Sequence, residues 1–186
     1  MSKTDKPSTE FTPETALARV REHVESIPPS RGSIIARVPD LDVAGLLAFS
    51  AMPNTGLAGE ITYLVGPDEL LSTGLRTTFD LVMNRLGVGR SPGLLTVHRF
   101  ARLFMRLRAH RRGVVLDAPD GHILLRPEQL SPEEFSPPVS SFDDQGAHFR
   151  FWIYDTDHFE PAFFDVTVAP DGTTDYREVR RPPEED

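Results

Sequence analysis

The stretch HFRFWIYD (148–155), followed by FFDVTV (163–168), APDG (169–172) and TTDYREV (173–179), decides the fold, because here the apolar pattern changes to a period of two. Phe149, Phe151 and Ile153 alternate with His148, Arg150, Trp152 and Tyr154. Successive side chains of a strand point to opposite faces, so one of these sets is core and the other is either a second layer covered by a helix or an exposed binding face. In APDG, Pro presets the first turning residue, Asp bonds its own backbone and Gly accepts a positive φ, which predicts a hairpin turn. The same tetrapeptide in VVLDAPDGHILL (114–125) predicts strand, turn and strand a second time. The flanks of the two copies share only strand character, so the repeat marks corners and is not a repeated functional loop.

The N-terminal half has a different period. Thr12 and Pro13 form a helix start, and Leu17, Val20, Val24 and Ile27 follow as one apolar stripe that Pro28 and Pro29 terminate. GSIIARV (32–38) and EITYLVG (60–66) predict strands, and LDVAGLLAFSA (41–51) between them predicts a short helix. Pro67 opens a longer helix with Leu71, Leu75, Phe79, Val82 and Leu86 on one face, ended by Gly87, and a second long helix is expected from Leu94 to Arg112. Residues 131–147 (SPEEFSPPVSSFDDQGA) read as a long surface loop. Residues 1–11 and 180–186 are polar and expected to be disordered tails. The expected fold is a single α+β domain over 12–179. It has a largely antiparallel sheet, a C-terminal meander of hairpins, and an α-rich N-terminal portion packed on one face.

Composition narrows the chemistry. With no cysteine among 186 residues, disulfides, thiolate metal sites and cysteine nucleophiles are excluded. No run approaches the roughly 20 apolar residues of a membrane span, and the polar start lacks the apolar stretch of a secretory signal, so a soluble cytoplasmic protein is expected. Charge is segregated along the chain. The 36 positions between Asp80 and Asp117 hold eight arginines and no acid, whereas residues 117–186 carry 5 basic and 17 acidic groups. On a helical wheel Arg99, Arg102, Arg106 and His110 form a stripe opposite Leu94, Val97, Phe100, Ala101, Leu103, Phe104 and Leu107. Such a ridge either pairs with the acidic C-terminal strands or binds an anion, and His110 belongs to that anion-binding alternative. The net charge of −8 argues against nucleic acid and membrane as partners.

Three functional readings follow. The leading one is a non-enzymatic protein-binding module, an adaptor or an inhibitor or immunity-type protein. It would engage another protein, a basic one by charge complementarity, through Arg150, Trp152, Tyr154, Asp155, Asp157 and Glu160. The second is a metal-dependent enzyme using His148, Asp155, Asp157 and His158, residue types that suit a divalent ion. D-x-D departs from a calcium loop at once, because Glu160 and Val166 stand where Gly and Glu are required. The third is a binder of phosphate-rich ligands through the arginine ridge. GVGRSPG (87–93) spaces its glycines like a phosphate loop but follows a helix and lacks Gly-Lys-Ser/Thr. No nucleophile elbow and no zinc-protease motif occurs, so a non-enzymatic role without a cofactor is favoured. The oligomeric state is not set by the sequence.

Overall fold

A computed structural model describes residues 10–27, 32–53, 59–73, 76–126 and 128–180. The fold is α+β, with three helices and two antiparallel sheets. The chain divides after Ser72 into two compact units. Of the expected tails 1–11 and 180–186, residues 1–9 and 181–186 lie outside the described residues, as does the expected helix stop at Pro28 and Pro29. Phe11 packs against the core of the first unit and Arg180 is the last residue of a strand.

In the first unit, α1 (Pro13–Ser26) starts as its sequence dictates. The Thr12 side chain accepts the Thr15 N–H and the Thr15 hydroxyl accepts the Thr12 N–H, a reciprocal cap. Ala16, Val20 and Val24 are fully buried against Phe49, Ala51, Tyr63 and Val65 of a four-stranded meander. Its strands are β1 (Ile34–Arg37), β2 (Leu47–Met52), β3 (Ile61–Val65) and β4 (Leu70–Ser72), paired in that order. The Arg19 guanidinium donates to the carbonyls of Gly66 and Pro67 at 2.6 and 2.8 Å, fastening α1 to the β3–β4 turn.

Two expected helical starts are corrected here. The stretch 41–51 is a tight turn followed by β2. Ala44 and Gly45 both have positive φ (52° and 76°), and the N–H groups of Val43 and Leu46 each bond the other's carbonyl. That is the two-residue hairpin turn whose twist matches strands. β2 is buried on both faces, so its sequence shows a continuous apolar run that does not reveal its period. Pro67 likewise opens a turn into β4. The following helix, α2, spans only Arg76–Leu86, and Leu75 lies outside the described residues.

The second unit carries α2, α3 (Val97–Phe104) and a five-stranded sheet. Its strands are β5 (Gly113–Val115), β6 (Val139–Asp143), β7 (Gly146–Asp155), β8 (Glu160–Val168) and β9 (Thr174–Arg180). β7, β8 and β9 are the three C-terminal strands expected from the period of two. β5 and β6 pair with different ends of the same edge of β7: Val115 opposite Ile153, and Val139 opposite Arg150. The inward face of β7 meets α3 through aromatic rings. Phe100 stacks on Phe149 at 3.7 Å and 5°, and Phe104 meets Phe151 and Phe164 edge-on at 6.1 and 5.4 Å.

Three further expectations change. The long helix of 94–112 begins at Thr96, whose hydroxyl accepts the Arg99 N–H, and gives way at Met105–Ala109 to a π-turn closed by Arg111 N–H on the Met105 carbonyl at 2.8 Å. The wheel drawn at 100° per residue therefore holds only as far as Phe104. The loop 131–147 contains strand β6. The first APDG turns, with Gly121 N–H on the Ala118 carbonyl at 3.0 Å, but HILL is not a strand: a second turn puts Leu125 N–H on the His122 carbonyl at 2.9 Å. The β7 edge that HILL would need is already taken by β5 and β6. The second APDG closes the β8–β9 hairpin, with Gly172 at φ 88°.

The glycines of 87–93 serve backbone geometry. Gly87 (φ 69°) ends α2, and Gly89 lies so close to the β8–β9 turn that a Cβ there would sit 2.0 Å from the Ala169 carbonyl oxygen. Gly93 has a positive φ of 77° and open space around it. Gly89→Ala is therefore expected to lower the unfolding free energy by about 3 kcal/mol or to prevent folding. Gly93→Asn, a residue that tolerates the left-handed region, is expected to cost little. Urea titrations of the two variants check this contrast.

Candidate functional site

The outer face of the C-terminal sheet carries Arg150, Trp152 and Tyr154, but it does not display them equally. Arg150 is exposed and its Nε lies 3.3 Å from Asp165 of β8. Tyr154 is buried at 1% exposure within a small second core with Leu116, Leu125 and Leu130, against which Trp152 and Phe135 pack. The cover over this face is thus the irregular segment 116–135. Trp152 is half-buried, and its Nε1 is shielded from solvent with no acceptor among the described residues. His122 stacks on Tyr154 at 4.3 Å, and the Tyr154 hydroxyl donates to the Leu124 carbonyl at 3.4 Å.

Asp155 organises the end of β7. Its side chain is fully buried and saturated with donors. One carboxylate oxygen accepts the N–H groups of Asp157 and His158 at 2.9 and 3.2 Å. The other accepts Arg111 Nη1 and His158 Nδ1, each at 2.9 Å. His158 Nδ1 thus lies within hydrogen-bond distance of both the carboxylate and the guanidinium. Arg111 reaches on to Glu178 of β9 at 3.5 Å, and the Arg112 N–H bonds Asp157 at 3.2 Å.

Of the four residues of the metal alternative, Asp155, Asp157 and His158 share this turn and His148 does not. Arg111 Nη1 lies 2.9 Å from Asp155 and 3.0 Å from His158 Nδ1, so a guanidinium stands beside both groups. His148 stands seven strand residues away, about 23 Å at the usual rise. There it bonds Asp143 at 2.9 Å and Thr167 at 3.1 Å. No group of three His, Asp or Glu residues suited to a metal exists among the described residues.

Two arginines beside the ridge are drawn inward. Arg111 pairs with Asp155 and Glu178, and Arg108 lies over the Tyr176 ring at 5.2 Å. Arg99 and Arg106 are half-exposed and have partners, whereas Arg102 and His110 are exposed. The inward contacts thus belong to Arg108 and Arg111, which flank the ridge, and two of the four ridge residues face solvent.

The most unusual side chain is one that the sequence offers only as another aromatic. Phe159, in the β7–β8 turn, is 62% exposed and has a φ of 59°. Its N–H bonds the Asp155 carbonyl at 2.8 Å, and its carbonyl accepts Gln129 Nε2 at 3.1 Å. Gln129 Oε1 accepts the Arg126 N–H at 2.9 Å, so one side chain ties the loop to the turn. In that loop Ile123 is 96% and Leu124 is 54% exposed. The sequence signal was a bulky aromatic inside DTDHFE (155–160), where turn chemistry favours Gly or Asn.

Arg111→Leu is expected to cost about 3 kcal/mol, because it strips a cation from a fully buried carboxylate. Chemical denaturation measures the loss, and added Zn²⁺ should leave the melting temperature of the parent chain unchanged. A pH effect follows from the hairpin end. The Asp143 carboxyl is held below its ordinary 3.8 by the His148 hydrogen bond and the Gln145 N–H. A depressed folded-state value gives stability present above 3.8 and lost as pH falls through the lowered value. Asp143→Asn should remove that part of the acid sensitivity, read from melts below about pH 4.

Comparison of the chain with known proteins finds no matching family model, no matching curated protein and no matching solved structure.

Proposed function

We propose that the chain is a protein-binding module, an adaptor or inhibitor, whose contact surface is the end of the C-terminal sheet at the β7–β8 turn. The observation that carries this reading is Phe159. A bulky residue in the left-handed region costs about 1–2 kcal/mol, and leaving its ring in water forgoes a further burial gain. Backbone strain of this kind concentrates at binding sites, where function maintains it. Burial of the ring by a partner would recover the hydrophobic gain and supply an anchor.

The surroundings fit that role. The segments 117–128 and 156–160 carry five carboxylates (Asp117, Asp120, Glu128, Asp157 and Glu160) against one guanidinium, Arg126. Ile123 and Leu124 extend the apolar area on the loop that Gln129 ties to the turn. An aromatic anchor within an acidic rim suits a basic protein, with the charges speeding encounter and the ring holding the complex. Of the six residues expected to bind, Asp157 and Glu160 lie in this turn. Tyr154 and Asp155 support it from beneath, Trp152 packs under the 116–135 segment, and Arg150 belongs to the open part of the sheet.

Phe159→Gly separates stability from binding. The variant is expected to be more stable by about 1 kcal/mol, since Gly takes a positive φ freely. It is also expected to lose its partner. A photo-crosslinking residue at position 159 should give a discrete adduct in a lysate, and one at the exposed Arg21 of α1 should give none. Equal adducts at both positions, or undiminished partner recovery with Phe159→Gly, would overturn the proposal.

A further inference from the structure

Beyond the Phe159 end, a second surface lies at the other end of β7, where β6 forms an edge. All five residues of β6 are exposed, and among the described residues it pairs only with β7. Its outer edge therefore presents the alternating N–H and C=O groups that a further strand would bond. The sequence VSSFD contains no Lys, Arg or Pro to block that pairing, and its one charge, Asp143, stands at the end. β9, the opposite edge, carries Asp175, Arg177, Glu178 and Arg180. One edge is guarded by charge and the other is open.

The open edge borders a groove of about 300 Å³. One wall is β6 with Phe142 and the underlying Phe149, and the other is the loop bearing Val88, Pro92, Leu94 and Leu95. Phe142 and Leu94 are 39% and 50% exposed. Phe142 stands opposite Ala147 in register, on the inward side of the sheet. A strand added to β6 would therefore send every second side chain into this apolar groove and the rest past Val139, Ser141 and Asp143. Charge selects what those others are. From 127 to 149 the chain holds Glu128, Glu133, Glu134, Asp143 and Asp144, with no Lys or Arg. The facing wall contributes one cation, Arg90, held on the carbonyl and side chain of Asn84 at 2.7 and 2.8 Å.

We infer that β6 is a docking edge for an extended, basic segment of a partner protein, which adds to the sheet as a strand and places alternate apolar side chains in the adjoining groove. Main-chain hydrogen bonds give such a complex its affinity, and the groove and the carboxylates give it selectivity. The inference is independent of the Phe159 surface.

A labelled peptide of alternating valine and lysine, followed by fluorescence anisotropy, tests it on the full chain. Saturable binding is expected, with Asp144→Lys and Ser140→Trp each weakening it about tenfold, the second by filling the groove. Phe159→Gly should leave it unchanged. Two versions of the peptide, N-methylated on alternate backbone amides in opposite registers, provide a readout that needs no protein variant. One should lose binding and the other keep it, because only one set of amides faces β6. Equal behaviour of the two, equal binding of a valine–glutamate peptide, or full binding by a folded Ser140→Trp variant would overturn the inference. So would the absence of saturable binding. Sedimentation showing self-association that Ser140→Trp abolishes would also overturn it, by making a second copy of the chain the occupant.

Discussion

A fully buried carboxylate has to be surrounded by donors, and the end of the C-terminal sheet is arranged to meet that requirement at Asp155. Two backbone N–H groups, an imidazole and a guanidinium converge on its two oxygens. Each donor comes from a different constraint. The backbone groups shape the turn after β7, the imidazole folds back over that turn, and Arg111 brings in the chain that has just left the π-turn. Through Arg111 the network also reaches Glu178 on β9. The position of Phe159 is a consequence. The carbonyl of Asp155 holds the Phe159 N–H, and the chain turns into β8 with Phe159 at positive φ. Electrostatic saturation inside the sheet thus fixes an aromatic ring outside it.

The same network shows why charge segregation is informative in this chain. A run of arginines beside an acidic C-terminal region does not by itself separate internal pairing from an external partner. Here the division falls near the π-turn. Arg108 and Arg111, beyond Met105, engage Tyr176, Asp155 and Glu178. Arg102, before it, is exposed.

Where elements have one buried face, the sequence was legible. Thr12–Pro13 and the stripe through Val20 and Val24 specify α1, and the alternation in 148–179 specifies β7, β8 and β9. Legibility failed where both faces are buried or where the chain competes for one edge. LLAFSA is apolar throughout because β2 is buried on both sides, and only the Ala44–Gly45 turn reveals it as a strand. HILL has strand composition but no free neighbour, since β7 is already bordered by β5 and β6. VSSFD was hidden by its neighbours, Pro137 and Pro138 before it and Asp144 after it, which resemble the composition of a loop. At the candidate site, Asp157 and Glu160 were visible as charge and Phe159 as an aromatic. The exchange of roles between Phe159 and Tyr154 was not visible, because it depends on the 116–135 segment lying across the sheet.

The pairing of β5 with β7 also has a temporal meaning. Within the first unit each strand pairs with the next in sequence, so its sheet closes through short loops. β7, β8 and β9 form in the same way, and β6 joins β7 through a two-residue turn. The Gly113–Asp155 register and the Arg111–Asp155 bond instead span more than 40 residues. Closing a longer loop costs more entropy, and long-range contacts form late once local ones have shortened the effective path. Asp155 therefore acquires its guanidinium only after the hairpins exist. The turn that displays Phe159 thus closes early with its hairpin, and its guanidinium brace is added only when the long-range β5–β7 pairing brings Arg111 to it.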